Sequence, residues 1–561
     1  MTPVVSRALT RWIAVTIAAA LFIGAMPLTA DSKSAPAKID PTLFAEAKAH
    51  PNQEFQVIVR GAPLPNTART SVRKGTAPRS NQDNTERVRR AETALASFPI
   101  SGERRSLAIV SGAAVTLRGS QIVRLAGSPL VDRVVRNQTF KLDWNGVDGA
   151  LTANEAGIQE VNAPAAWSQL GATGKGVGVA VIDSGVAEHA DLAGRVIARV
   201  DLTGGQSNGD PGGHGTHVAG LIAGNGAESN GAWTGAAPQA DIISVRVIDA
   251  AGHAKLSTIF AGMQWVLKNR STYHIKIVNL SLGGAALTSY QEDLLASAAE
   301  LLYFAGLTVV VSAGNGGPGV STITTPATDP FVLSVGAADD NGTPTISDDS
   351  VASWSSRGPT AFDGIAKPDL VAPGRKMIGL RAAGSTLDNA HPDRRLKASG
   401  KSEARYFAMS GSSMAAPVVS GIAALYLQLN PSATPLDVKL QLIGTARPLS
   451  GVARAAQGAG MVDALAALRA SPVPVAYTPY PASKAFAELL RDKLEGQTIV
   501  WRDLSFHGGV DSKGIPWKDV TWEDITWDDI TWEDITWEAF DWQDISWEDI
   551  TWEDITWEMA R

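Results

Sequence analysis

Val177-Gly178-Val179-Ala180-Val181-Ile182-Asp183-Ser184-Gly185 is an unbroken apolar run that ends on a carboxylate and a glycine turn. A strand with one wet face alternates, whereas one that is apolar throughout has both faces covered. The same kind of run recurs at Ile242-Ile243-Ser244-Val245, Ile277-Val278-Asn279-Leu280 and Thr308-Val309-Val310-Val311, with helical patterns between them. This predicts an α/β domain over residues 158–468, a doubly wound parallel sheet covered by helices. In such sheets the working residues sit just beyond the carboxyl ends of the strands.

Three polar segments fall at such places. Asp183 closes the first strand; Gly213-His214-Gly215-Thr216-His217 opens a helix; Met409-Ser410-Gly411-Ser412-Ser413-Met414-Ala415-Ala416-Pro417 is a small-residue turn entering an apolar helix. Read singly, the Asp is a turn residue, the His pair half of a metal site without the zincin Glu, and the serines a helix cap. Together they supply a hydroxyl, a base and a carboxylate, the three groups that acyl transfer by serine needs.

In residue type and in the order Asp, His, Ser, with spacings of 31 and 199 residues, these segments resemble the subtilases. Asn279-Leu280-Ser281-Leu282-Gly283-Gly284 resembles that family's substrate-lining segment and Ser312-Ala313-Gly314-Asn315 its oxyanion segment. Ser355-Ser356-Arg357-Gly358-Pro359 and Lys367-Pro368-Asp369-Leu370-Val371-Ala372-Pro373-Gly374 match further landmarks. The resemblance implies a serine endopeptidase in which Ser413 is the nucleophile, His214 the base and Asp183 its orienting carboxylate. Asn315 would then serve the oxyanion, and Ser281, Leu282, Gly283, Ala313 and Gly314 would line the substrate cleft. The small residues Gly283, Gly284, Ala313 and Gly314 hint at room for a bulky P1 side chain. Ser412, where the family usually has Thr, and Ser410 read as decoys, and His217 as a structural partner. The chemistry requires no cofactor; family resemblance implies structural calcium, with no ligand set assignable. A peptide ligase on the same fold and a binding protein on an inactive scaffold are the alternative readings.

Outward on the N-terminal side, Arg7 and Arg11 precede an apolar run from Trp12 to Met26 and the small-residue site Leu28-Thr29-Ala30, the pattern of a signal peptide over 1–30. No later segment is read as long and apolar enough for a transmembrane anchor. Residues 31–52 read as a linker. Residues 53–140 carry strand, helix, strand, helix, strand: the strand Phe55–Val59, a helix from Asn84 to before Pro99, a strand Leu107–Leu117, a helix Gln121–Ala126 and a strand Leu130–Val135. Its position between signal and catalytic domain resembles a subtilase propeptide, which implies that the chain's own propeptide is a partner that inhibits until cut off. A processing linker follows at 141–157, with the cut expected between Phe140 and Ala156.

On the C-terminal side, 469–516 read as a Pro-rich linker with a short helix over Ala482–Leu494. Then nine of the sixteen tryptophans recur every five residues from Trp517 to Trp557, in the consensus Trp-Glu-Asp-Ile-Thr. A five-residue step gathers side chains onto one stripe of neither a helix nor a strand. This low-complexity tail, 517–561, reads as a flexible acidic-aromatic segment ordered by a partner. That partner is expected to be a cell surface, an extracellular polymer or the secretion apparatus. The tail holds fifteen acidic residues against Lys518 and Arg561, a net of -13 within a chain of -7, which disfavours nucleic acid and anionic membranes. The chain has no cysteine, so an exported form depends on packing rather than disulfides.

Overall fold

The computed structural model describes residues 38–62, 83–142, 156–205, 209–471, 480–483 and 509–510. The expected signal peptide, the cut itself, most of the 482–494 helix and the tryptophan repeat lie outside the described residues.

The first domain is α+β: α1 (Pro41–Ala49), β1 (Glu54–Gly61), α2 (Asp83–Ala96), β2 (Ser101–Leu107), β3 (Gly112–Arg118), α3 (Gly119–Leu125) and β4 (Val131–Arg136). Its four strands lie antiparallel in the order β2-β3-β1-β4. The period of two divides the labour of β1: Phe55, Val57 and Val59 pack into this domain's own core, while Ile58 joins the core of the second domain. Two expectations need correcting. Residues 38–52 are not linker: Asp40 accepts from the Leu43 amide to start α1, Pro41 fits its first turn, and Leu43 and Ala47 are buried. The apolar run Leu107–Leu117 is not one strand, because a 3-10 turn at Ala108–Val110 and left-handed Ser111 fold it back into a hairpin.

The second domain follows a short strand, β5 (Thr139–Lys141). It comprises α4 (Gly157–Glu160), α5 (Ala163–Leu170), β6 (Gly178–Asp183), β7 (Val196–Asp201), α6 (His214–Ala223), β8 (Asp241–Arg246), β9 (His253–Lys255) and α7 (Leu256–Asn269). Next come β10 (Ile275–Leu280), α8 (Leu294–Phe304), β11 (Thr308–Ser312), β12 (Leu333–Asp339), β13 (Ser350–Val351), β14 (Leu370–Pro373) and β15 (Met377–Leu380). The domain ends with α9 (Thr386–Ala390), β16 (Arg395–Leu396), β17 (Tyr406–Met409), α10 (Ser412–Leu429), α11 (Pro435–Gly444), α12 (Arg454–Gln457) and α13 (Ala464–Arg469).

The central sheet has the order β13-β12-β11-β10-β6-β8-β7, with β14 also on β12; every pairing is parallel except the edge strand β13. Along β6, Val179 and Val181 face the layer of α6 and α10, and Ala180 and Ile182 face that of α7 and α8. Two covered faces account for the continuous apolar runs. Helix α10 does have the length and composition of a membrane span, contrary to expectation, but 83% of it is buried within the domain.

The two domains meet on the layer of α7 and α8. Ile109 and Val110 pack there, the Ile109 amide donates to Gln264, and Arg133 pairs with Glu292 at 2.8 Å. Strand β5 pairs antiparallel with β9, and the Leu142 amide extends the pairing onto the Gly252 carbonyl at 2.8 Å. Residues 469–516 also differ from a free linker, since Tyr480–Ser483 is extended and Ala482 and Ser483 are buried against the same layer.

Candidate active site

Asp183 ends β6 at the carboxyl edge of the sheet and is fully buried. His214 begins α6 directly above it, with Nδ1 2.8 and 2.9 Å from the two carboxylate oxygens. Two glycines allow that approach. Gly213 takes φ 100°, a left-handed conformation that turns the chain into the helix; a Cβ on Gly215 would collide with the Gly185 carbonyl and crowd Asp183. Burial pushes the His214 pKa down, but the charge and hydrogen bond of Asp183, then the charge of Asp210, leave it raised above its ordinary value.

Asp210 was not singled out in the sequence. Buried, it accepts from the Ser184 hydroxyl (2.8 Å), the Gly213 amide (2.7 Å), and the Thr216 amide and hydroxyl (2.8 and 2.7 Å). Ser184 in turn accepts from the Gly215 amide at 2.9 Å. Asp210 therefore rivets the first turn of α6 to the end of β6 and sets the imidazole over its carboxylate. Its place four residues before His214, ahead of a Gly-Gly helix entry, was the available signal. His217 sits one turn on in the same helix, its Nε2 3.1 and 3.0 Å from the Met377 and Phe407 carbonyls; burial, then the charge of His214, lowers its pKa to about 3. It is a neutral donor in the core.

Ser413 lies in the first turn of α10, and its hydroxyl donates to the Ser281 carbonyl at 3.1 Å. Pro417 stands four residues on, inside the helix. A residue there would normally donate its N–H to the Ser413 carbonyl, and proline has none. The Ser281 hydroxyl donates to that carbonyl instead, at 2.9 Å. Asn279 Nδ2 donates to the Ser281 hydroxyl, and Ser420 donates to Asn279 Oδ1, both at 2.9 Å. The turn bearing Ser413 is thus pinned to the end of β10.

Asn315 follows β11. Its Oδ1 accepts from both the amide and the hydroxyl of Ser412 at 2.9 Å, which leaves the Nδ2 donors for the cleft side. Ser412 also accepts from the Gly314 amide at 3.1 Å. The residue read as a decoy therefore orients the Asn315 amide; Ser410, the other, accepts the Lys376 amide.

Of the expected cleft residues, Ser281, Leu282 and Ala313 have buried side chains, so only their main chain is available to a ligand. The expected room is occupied. The Phe140 ring covers Gly284, Thr325 lies against Gly283, and Thr324 and Ser356 against Gly314. Among the described residues no group of three or more His, Asp or Glu is placed to hold a metal ion, and no step below uses one.

The sequence matches the subtilase family over residues 174–462. It is 45% identical over 273 residues to serine protease AprX of Bacillus subtilis, covering 48% of this chain and 60% of AprX. It is 36% identical over 314 residues to subtilisin Savinase of Lederbergia lenta, covering 56% of this chain and 98% of Savinase. A solved structure of fervidolysin from Fervidobacterium pennivorans, a keratinolytic enzyme related to subtilisin, shares the fold with a TM-score of 0.53 at 22% identity, over 75% of this chain and 62% of that one.

Proposed function

The chain belongs to the subtilase family and carries a subtilisin-like serine endopeptidase domain, and on that premise we propose that Ser413, His214 and Asp183 perform the hydrolysis within an exported, self-processed precursor. The observation that carries this reading is the buried Asp183–His214 pair at the sheet edge, on a helix, α6, that packs against α10, whose first turn bears Ser413. In the reaction the Ser413 proton turns from the Ser281 carbonyl to His214 Nε2 as Oγ attacks the scissile carbonyl of a peptide. His214 then protonates the leaving amine, and water, deprotonated by the same imidazole, releases the acyl group. Asp183 keeps Nδ1 protonated and stabilises the cation. The developing oxyanion is met by Asn315 Nδ2 and by the Ser413 amide at a helix N-terminus.

The first domain is proposed as the inhibitory propeptide. The pairing of β5 with β9 supports it, because a chain lying extended along that edge blocks an incoming peptide from adding there. Since Thr139–Leu142 are engaged in the pairing, the cut belongs after Leu142, in the later part of the expected window. Export rests on the N-terminal pattern and on the name of one relative, the extracellular serine proteinase of a Thermus strain. The tail is proposed to attach the enzyme to a surface or polymer.

Wild type and Ser413→Ala are compared for self-cleavage and for casein hydrolysis. The reading requires both to vanish in the variant while the precursor stays folded. Casein hydrolysis by Ser413→Ala at the wild-type rate would refute it.

A further inference from the structure

Helix α13 packs on the α10 side of the sheet, through Ala464 and Ala467. By Tyr480 the chain has crossed to the opposite layer, where Tyr480 and Ala482 meet the apolar core around α7 and α8. What awaits it there is a carboxyl group in an apolar layer. Glu300, in the middle of α8, is fully buried, as is Ser483. The Ser483 amide lies 2.9 and 3.0 Å from the two Glu300 oxygens, and the Ser483 hydroxyl donates to Oε2 at 2.6 Å. Tyr290, also buried, donates its hydroxyl to the Pro481 carbonyl at 2.9 Å. The strand Tyr480–Pro481 (β18) pairs in parallel with Gly509–Val510 (β19), so a later part of the extension is held by two residues of the same segment.

We propose that Tyr480–Ser483 is a strap that clamps the C-terminal extension to the α/β domain, with Glu300 and Tyr290 as its receptor. A buried carboxyl without donors is costly, and an apolar helix would ordinarily carry Leu or Ala in its place. Here Glu300 has the Asp329 carboxyl beside it within the domain, and the amide and hydroxyl donors come from a segment 11 residues past the end of α13. The site is specific for an extended backbone with a small hydroxyl side chain, since Ser483 has no exposed surface and a bulkier residue has nowhere to go. Burial, then the charge of Asp329, drives the Glu300 pKa well above its ordinary value, which favours the neutral form against which the strap docks. The strap lies on the layer that also receives Ile109 and Val110 of the first domain, so extension and propeptide are seated on one continuous surface.

The test uses the full-length chain carrying Ser413→Ala, so that self-cleavage cannot confuse it and its outcome is independent of the catalytic assignment. Hydrogen exchange should show the Ser483 amide protected at least tenfold over an unstructured amide. Adding Ser483→Glu, which forces a larger acidic side chain into the closed space at Glu300, should abolish that protection and speed trypsin cleavage after Lys484 roughly tenfold. Protection in β6, β10 and β11 should stay unchanged. If Ser483→Glu disrupts those strands, Ser483→Ala gives the same readouts with a change of about threefold. A Ser483 amide exchanging at the unstructured rate in the parent, or variants that move neither readout, would overturn the proposal.

Discussion

Replacing Ser412 by Ala should slow the chemical step while leaving substrate binding alone. The Ser412 hydroxyl donates to Asn315 Oδ1 and accepts from the Gly314 amide, while the Ser412 amide gives Oδ1 its second bond. Alanine keeps the amide bond and loses the hydroxyl, so Asn315 remains in place with one restraint fewer. Deleting an oxyanion donor outright costs about 2.7–4 kcal/mol, a value measured in subtilisin itself, and Asn315→Ala should approach it. Losing one neutral hydrogen bond that aims the donor costs about 1 kcal/mol, or roughly fivefold in kcat. Because the oxyanion exists only beyond the ground state, KM should not move. Ser412→Thr, which restores a hydroxyl at that position, should recover the rate. The assay is steady-state hydrolysis of a peptide p-nitroanilide by the mature enzyme, with kcat and KM taken separately. An unchanged kcat in Ser412→Ala, a loss carried by KM, or failure of Thr to rescue would each refute the role given to this side chain.

The acid limb of kcat/KM should fall above pH 6.5, since His214 must be neutral to act as base and its pKa is raised; a limb below 6.5 would contradict the site's electrostatics. Asp210→Ala strands Ser184, Thr216 and the Gly213 amide together, and should lower stability by about 3 kcal/mol in urea unfolding, against little change if those groups rehydrate freely. Burial, then the charges of Glu160, Asp340 and Asp348, pushes the Asp349 carboxyl up to about 7. The folded state thus holds a proton that the unfolded chain releases near pH 4, and stability is lost as pH rises from about 4 to 7. Asp349→Asn should flatten that part of the curve, and an unaltered slope in thermal melts across those pH values would show the group titrating normally.

The sheet was legible because its strands are apolar on both faces, and so were the positions of Asp183, His214 and Ser413, which fall at strand ends or helix starts. Residues whose roles depend on an orientation were not. Ser412 looked like a substitute for its neighbour, and only the paths of its hydroxyl and amide to Asn315 distinguish a positioning residue from a spare cap. Asp210 lies in a polar, glycine-rich loop of the kind that usually stays wet, and its burial comes from the way α6 folds back over β6. The glycines near the cleft suggested space, yet Phe140, 144 residues earlier in the chain, fills the ground over Gly284. The α1 segment was misread because nine residues with two buried side chains carry too weak a pattern to separate from a linker. Ser483 gave no sign at all, since a lone serine after a proline-rich stretch carries no periodicity.

Helix α10 shows why stability and catalysis are hard to separate in this domain. It is the longest of the described helices, packed on β10, β11 and β12 with Val418, Val419 and Ile422 in the core, and its first turn carries the proposed nucleophile. A proline within a helix interior ordinarily costs about 3 kcal/mol relative to alanine. At position 417 part of that cost is offset, because the carbonyl its N–H would have bonded is taken by the Ser281 hydroxyl. That exchange moves one hydrogen bond from within the helix to a bond between helix and sheet. The Ser420–Asn279–Ser281–Ser413 chain then ties the first turn of α10 to β10 at two heights, about two turns apart along the helix. A helix held only by apolar contacts could slide or rotate by fractions of an ångström, whereas directional polar bonds fix its register. The Ser413 hydroxyl consequently inherits its position from the sheet that also positions Asp183, and both halves of the proposed site share one frame.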